Sequence, residues 1–310
     1  MWLTATNRTR LGLALVTCLL IALSACATEG PSAMAQDPPQ AAQSQTIEAR
    51  FKPPAGFNRV AAEQGSFAAW LRRLPLKPGS PPVRLYNGEL KANQTAHCAV
   101  VDMAIGARNL QQCADAVIRL RAEYLFASGC EDQISFRFTS GHPAAWKDWR
   151  SGMRPVVTGS SVVWRQMSAA DGGYANFERY LDIVFTYAGS ASLARELDAA
   201  PDPSLPAPGD VFIHGGYPGH AAIVVDVAEN ASGQRVFLLA QSYMPAQEIH
   251  LLKNPADEST PWYQAARSGW LETPEWTFRR EELRKFRPLV CPPQAAAPDS
   301  SPQFPSSSGG

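Results

Sequence analysis

The sequence predicts one α+β domain in which an antiparallel strand meander packs on helices, and three observations point to it. Asp210–His214, His220–Val227 and Arg235–Tyr243 are consecutive apolar, β-branched runs separated only by Gly215–Gly219 and by Glu229–Gln234. Strands joined by connections that short can pair only antiparallel. Tyr174–Tyr187 carries Phe177, Leu181, Val184 and Phe185 at helical spacing, and Cys113, Val117, Leu120 and Tyr124 mark a second helix. Residues 48–291 suit a single large domain or two closely packed ones.

The remaining elements follow in chain order. Val83–Tyr86, Asn87-Gly88 and Glu89–Lys91 read as a hairpin, because an Asn-Gly pair supplies the backbone that a tight hairpin turn needs. His97–Ile105 is apolar enough for a buried strand. Asn109 is the expected N-cap of the cysteine-bearing helix, with Gln112 three residues on, and Gly129 ends it. Ile134–Phe138 alternates like a strand, and Ser190–Leu197 reads as a short helix.

The two ends differ from this domain. Arg8 and Arg10 precede an apolar stretch from Leu11 to Leu23, followed by Ser24-Ala25-Cys26. A positive start, a short apolar core and small residues form a secretory signal, and the core is too short to span a bilayer, which needs about 20 residues. Leu23-Ser24-Ala25-Cys26 resembles a bacterial lipobox, which implies cleavage after residue 25 and lipid on Cys26. Ala27, which is not Asp, implies transfer to the outer membrane, facing the periplasm. Residues 26–47 are rich in Ala, Pro, Gln and Ser and read as a disordered tether with a reach of roughly 25 Å. Residues 292–310 form a similar tail.

Composition narrows the function. Apolar residues make up 45% of the chain, and 28 Lys and Arg balance 28 Asp and Glu. Without Arg8 and Arg10 the mature chain is slightly acidic, which argues against nucleic acid as a partner and against a polybasic membrane patch. The membrane contact expected is the lipid alone. Of six cysteines, Cys98, Cys113, Cys130 and Cys291 lie in the domain. They allow three pairings, and Cys130 with Cys291 is the one expected if any forms. No Cys-x-x-Cys or His-Glu-x-x-His is present, so no cofactor or metal is expected. Asp210, His214 and His220 are the residues a metal reading would use.

Two features could carry chemistry. Cys113 stands in the first turn of its helix, where unpaired amides and the helix dipole favour a thiolate. The competing reading is a small core thiol. His220 follows a glycine turn and opens a buried strand. If the next turn centres near Ala231 or Ser232, His220 lies opposite about Ser242 or Tyr243; one register puts Gln241 on its face, and a one-residue slip presents Ser242 instead. Nucleophile, base and an orienting amide would then be Cys113, His220 and Gln241. Trp146, Trp149, Trp164, Trp262, Trp270 and Trp276 could line a glycan groove, although packing explains most such residues.

The order of helix cysteine, strand histidine and polar residue on the following strand resembles papain-like peptidases and amidases. Gly209-Asp210-Val211-Phe212 and Gly219–Val225 resemble the histidine strands of NlpC-type and CHAP cell-wall hydrolases. That resemblance implies a papain-like core and cleavage of amide bonds in peptidoglycan. The setting of Cys113 departs from theirs, and the distance to His220 implies a large insertion. Leu110–Ala116, Arg119–Tyr124, Ala240–Gln247 and Pro274-Glu275-Trp276 resemble a bacterial family known only as a domain of unknown function, number 4846, from about residue 51 to 286. That likeness brings no activity. The opposing reading is a non-catalytic lipoprotein that binds a peptide, glycan or partner protein.

Cells grown with alkynyl palmitate should label the wild-type chain and leave Cys26→Ser unlabelled; label retained by the substituted chain would refute lipidation at Cys26.

Overall fold

The computed structural model describes residues 45–289. The expected signal, Cys26, nearly all of the tether, Cys291 and the tail lie outside the described residues. The domain is α+β, and its main sheet is antiparallel with nine strands. Their order is His97–Val100, His250–Leu252, Arg235–Gln241, His220–Asn230, Val211–His214, Leu283–Lys285 and Asp198–Ala199. Tyr263–Gln264 also pairs with Arg235–Gln241, and Phe57–Arg59 with the far end of His220–Asn230. The expected meander is therefore the centre of the sheet.

Both faces of that centre are buried. Ala221, Ile223 and Val225 join a large core with helices Phe67–Arg72 and Cys113–Ala127. Ala222, Val224 and Val227 join a smaller core with Leu271 and Phe278, from the hairpin Trp270–Glu272 and Thr277–Arg279. A strand apolar on both faces reads as a continuous run, as this one does.

One irregularity interrupts the alternation. Val224 pairs with Leu239 but Asp226 pairs with Leu238, so Val225 is an extra residue, a β-bulge. The bulge turns Asp226, which has no solvent exposure, toward the Phe67–Arg72 helix. There Arg72 Nε and Arg59 Nε each donate to its carboxylate at 2.6 Å, and the Val227 amide donates at 2.9 Å. A carboxylate buried this deeply is tolerable only with its lone pairs filled.

Several local expectations hold, and two need correction. Tyr174–Tyr187 is a helix over its full expected length, and Ser190–Glu196 is the short one. Arg84 and Leu90 bridge around Asn87-Gly88, with Gly88 at φ 85°. The strand at His97 stops at Val100. Asn109 does not cap the cysteine helix: its Oδ1 accepts the Ala246 amide, and the helix begins at Cys113 after Gln112. The carboxylate of Asp115 reaches back to accept the Gln112 amide at 3.0 Å, so the cap lies three residues later than expected. Cys130 is disulfide-bonded, while Cys98 and Cys113 are free. Among the described residues no helix is long and apolar enough to cross a membrane.

Replacing Asp226 by Ala leaves two guanidinium groups around an empty buried position. Urea unfolding should report a loss of roughly 3–5 kcal/mol; a loss under about 1 kcal/mol would show that the bulge holds without its charge.

Candidate functional site

The start of the cysteine helix and the start of the histidine strand meet at one cleft of about 690 Å³, lined by Cys113, Asp115, His220, Tyr243, Met244 and Trp276 among others. Ties between two loops bring them together. Ser242 Oγ donates to the carbonyl oxygens of Gln111 and Gln247, and Asn109 holds Ala246. The segment just before the helix is thus fastened to the segment just after the strand Arg235–Gln241.

Cys113 occupies the first helical position and is buried. Backbone amides of Ala114, Ala221 and Cys113 itself favour its thiolate, and Ala221 directly follows His220. Burial outweighs them and, with the neighbouring Asp115, pushes the thiol up to about 11. Burial also raises Asp115 itself to about 8. The helix start thus offers donors to the sulfur but leaves it a thiol at neutral pH.

The histidine is fixed more tightly. Continuing the register from the Ile223–Ala240 pair places His220 level with Tyr243, and Gln241 on the same face. His220 Nε2 lies 2.7 Å from Gln241 Oε1. Its ring packs against Tyr243, Trp276 and Phe278, with centroids 5.0, 5.3 and 5.7 Å away. Burial lowers the ring to about 4; Gln241 opposes that shift and Lys91 adds to it.

The hydrogen-bond network dictates which ring nitrogen carries the proton. His250 Nδ1 faces the Glu248 carbonyl oxygen at 2.9 Å and must donate to it, so its Nε2 is an acceptor. Gln241 Nε2 stands 2.8 Å from Glu275 Oε2 and 3.4 Å from His250 Nε2, with an acceptor for each N–H. The amide oxygen must therefore face His220, whose Nε2 donates. Nδ1 then holds the free lone pair, and no described residue bonds to it. Lys91 Nζ, 2.6 Å from Glu275 Oε1, neutralises the carboxylate that starts this chain.

Sequence reasoning thus places Cys113, His220 and Gln241 in one neighbourhood, and the structure brings all three together. It passes over Lys91, Glu275 and His250. Glu275 lies in a phrase read only as a family likeness, and nothing around Lys91 marks it. Of the residues a metal reading would use, Asp210 accepts the Ala207 amide, His214 faces Glu282 at 2.6 Å, and His220 is held by Gln241. No group of three or more metal-binding side chains occurs among the described residues. Of the tryptophans, Trp146, Trp149 and Trp262 are core residues, and Trp276 lines the cleft.

An unfolded histidine protonates near 6.5 and this one near 4, so its contribution to stability is full above about pH 6.5. That contribution is lost progressively as the pH falls toward 4. Imidazole ¹⁵N spectra at pH 5.5 should show a neutral ring protonated on Nε2; a midpoint near 6.5 would contradict this setting.

The family model described as "Domain of unknown function (4846)" matches residues 47–285, more than half of the chain, and the chain belongs to that family. No curated protein and no solved structure matches it.

Proposed function

We propose that this member of the domain-of-unknown-function family 4846 is an exported envelope lipoprotein with papain-like cysteine hydrolase chemistry, acting on amide bonds such as those of peptidoglycan peptides. The observation that carries this reading is the 2.7 Å bond from His220 Nε2 to Gln241 Oε1 beside a free thiol in the same cleft. It leaves Nδ1 as the base. The helix cysteine, strand histidine and next-strand amide follow the papain-like order of NlpC-type and CHAP enzymes. Residues 131–209, between the cysteine helix and the meander, would then be the insertion.

The chemistry follows from the neutral resting pair. Nδ1 takes the thiol proton as sulfur attacks the amide carbonyl, and the imidazolium returns it to the departing amine. Water then hydrolyses the thioester with the same nitrogen as base. The amides of Cys113 and Ala114 at the helix start would be donors to the developing oxyanion. Gln241, held by Glu275, stabilises the imidazolium formed in each half-reaction. The lipid on Cys26 would keep the enzyme at the outer membrane, with the tether giving it reach.

A second reading has its own observation. Burial that lifts Cys113 to about 11 and lowers His220 to about 4 also suits a cleft that binds a peptide or glycan without cutting it.

The full chain, purified in detergent, should release new amino groups from peptidoglycan fragments. Cys113→Ala should abolish release, and Gln241→Ala should slow it roughly a hundredfold. Binding of the same fragments by wild type and Cys113→Ala alike, with no amine released by either, would select the binding lipoprotein.

A further inference from the structure

Arg121 lies eight residues along the helix from Cys113, a rise of about 12 Å, and opens onto a different cavity. It is only 8% exposed. Its guanidinium carbon stands 4.9 Å from the ring centre of Phe67, 5.0 Å from Phe286 and 5.5 Å from Tyr124. Aromatic faces offset part of a buried positive charge but cannot accept the five N–H groups in the guanidinium plane. Among the described residues no carboxylate pairs with Arg121 and no acceptor takes its protons. None of its nitrogens is sealed away without a partner, so its donor edge opens to solvent space.

Arg121 lines two cavities, a smaller one of about 290 Å³ beside Asp210 and Lys285 and a larger one of about 410 Å³, and three more arginines line the larger: Arg137, Arg195 and Arg287. Each of these has some engagement of its own. Arg137 donates to the Gly141 carbonyl, Arg195 to that of Thr139, and Arg287 to Asp198 at 3.2 Å. The one carboxylate in the lining is Glu196, which accepts the Arg137 backbone amide. Four guanidinium groups, set against Glu196 in the lining and the Asp198 that Arg287 holds, leave a net positive lining, and Phe136 and Leu193 add an apolar wall. A purely structural arginine would carry its charge to water or to a buried acid; this one is packed among aromatic rings in the wall of a cavity of ligand size.

We propose that this cavity binds an organic oxyanion, a carboxylate or phosphate group bearing a short apolar portion. Arg121 grips the anion through two parallel N–H bonds, the rim arginines attract it, and the apolar portion lies against Phe136 and Leu193. The site shares no lining residue with the cysteine cleft and does not depend on any activity there.

The test is calorimetric titration of the full chain in detergent with hexanoate and with hexyl phosphate, against sodium chloride at matched ionic strength. Saturable binding of either probe, weakened at least tenfold in Arg121→Gln and about threefold in Arg287→Ala, is the expected result. Which probe binds identifies the source of the anion. Equal binding by wild type and Arg121→Gln, or heats no different from those of chloride, would overturn the site. Arg287 is exposed, so its substitution still decides the matter should Arg121→Gln not fold; unchanged affinity there together with an unfolded Arg121→Gln would count against the proposal.

Discussion

The ion pairs of Asp226 with Arg72 and Arg59 govern more of this molecule than their position far along the strand suggests. Where the hairpin closes, Glu229 stands opposite Arg235, and an unbroken ladder from there would set His220 against Met244. Gln241 would then pair with Ile223 and emerge on the helix side of the sheet, away from the imidazole. The extra residue at Val225 moves the pairing by one, and a one-residue shift exchanges the faces. The same insertion that carries Asp226 to its arginines therefore carries Gln241 to His220. The cluster of one carboxylate and two guanidinium groups holds the bulge in place, and the bulge sets the register of the site.

From that register the rest of the polar network follows by hydrogen-bond accounting. Lys91 and His250 define a place for the Glu275 carboxylate and for the Gln241 amide nitrogen, and the amide oxygen has one direction left. Every donor in this chain meets an acceptor, which is what a buried polar network requires if it is to hold one arrangement. The loop ties of Ser242 and Asn109 then fix the distance between helix start and strand start, so the thiol and the imidazole share a cleft without sharing an element.

Much of this was legible in the residues, for identifiable reasons. Glycine turns and continuous apolar runs fixed the meander because so short a connection leaves no other pairing. The closeness of His220 and Gln241 was legible only to within a one-residue slip, because the bulge that decides the register has no sequence mark: Val224, Val225 and Val227 look alike. The cap of the cysteine helix was misplaced because Asn109 is a good cap in isolation, and only the tertiary partner Ala246 removes it from that role. Lys91 and Glu275 were invisible as a pair because 184 residues separate them. Long-range polar pairing leaves no periodicity to read. The α+β class and the family are the level at which sequence and structure meet; the papain-like comparison rests on the site alone.

The burial of Cys113 has a consequence for its survival. A thiol raised to about 11 keeps on the order of one molecule in ten thousand as thiolate at pH 7. Peroxide oxidation and disulfide exchange both proceed through the thiolate. In an oxidising compartment a more acidic cysteine would be converted to a sulfenic acid or captured by a passing thiol compound. Burial of Cys113 works against both reactions by withholding its ionised form.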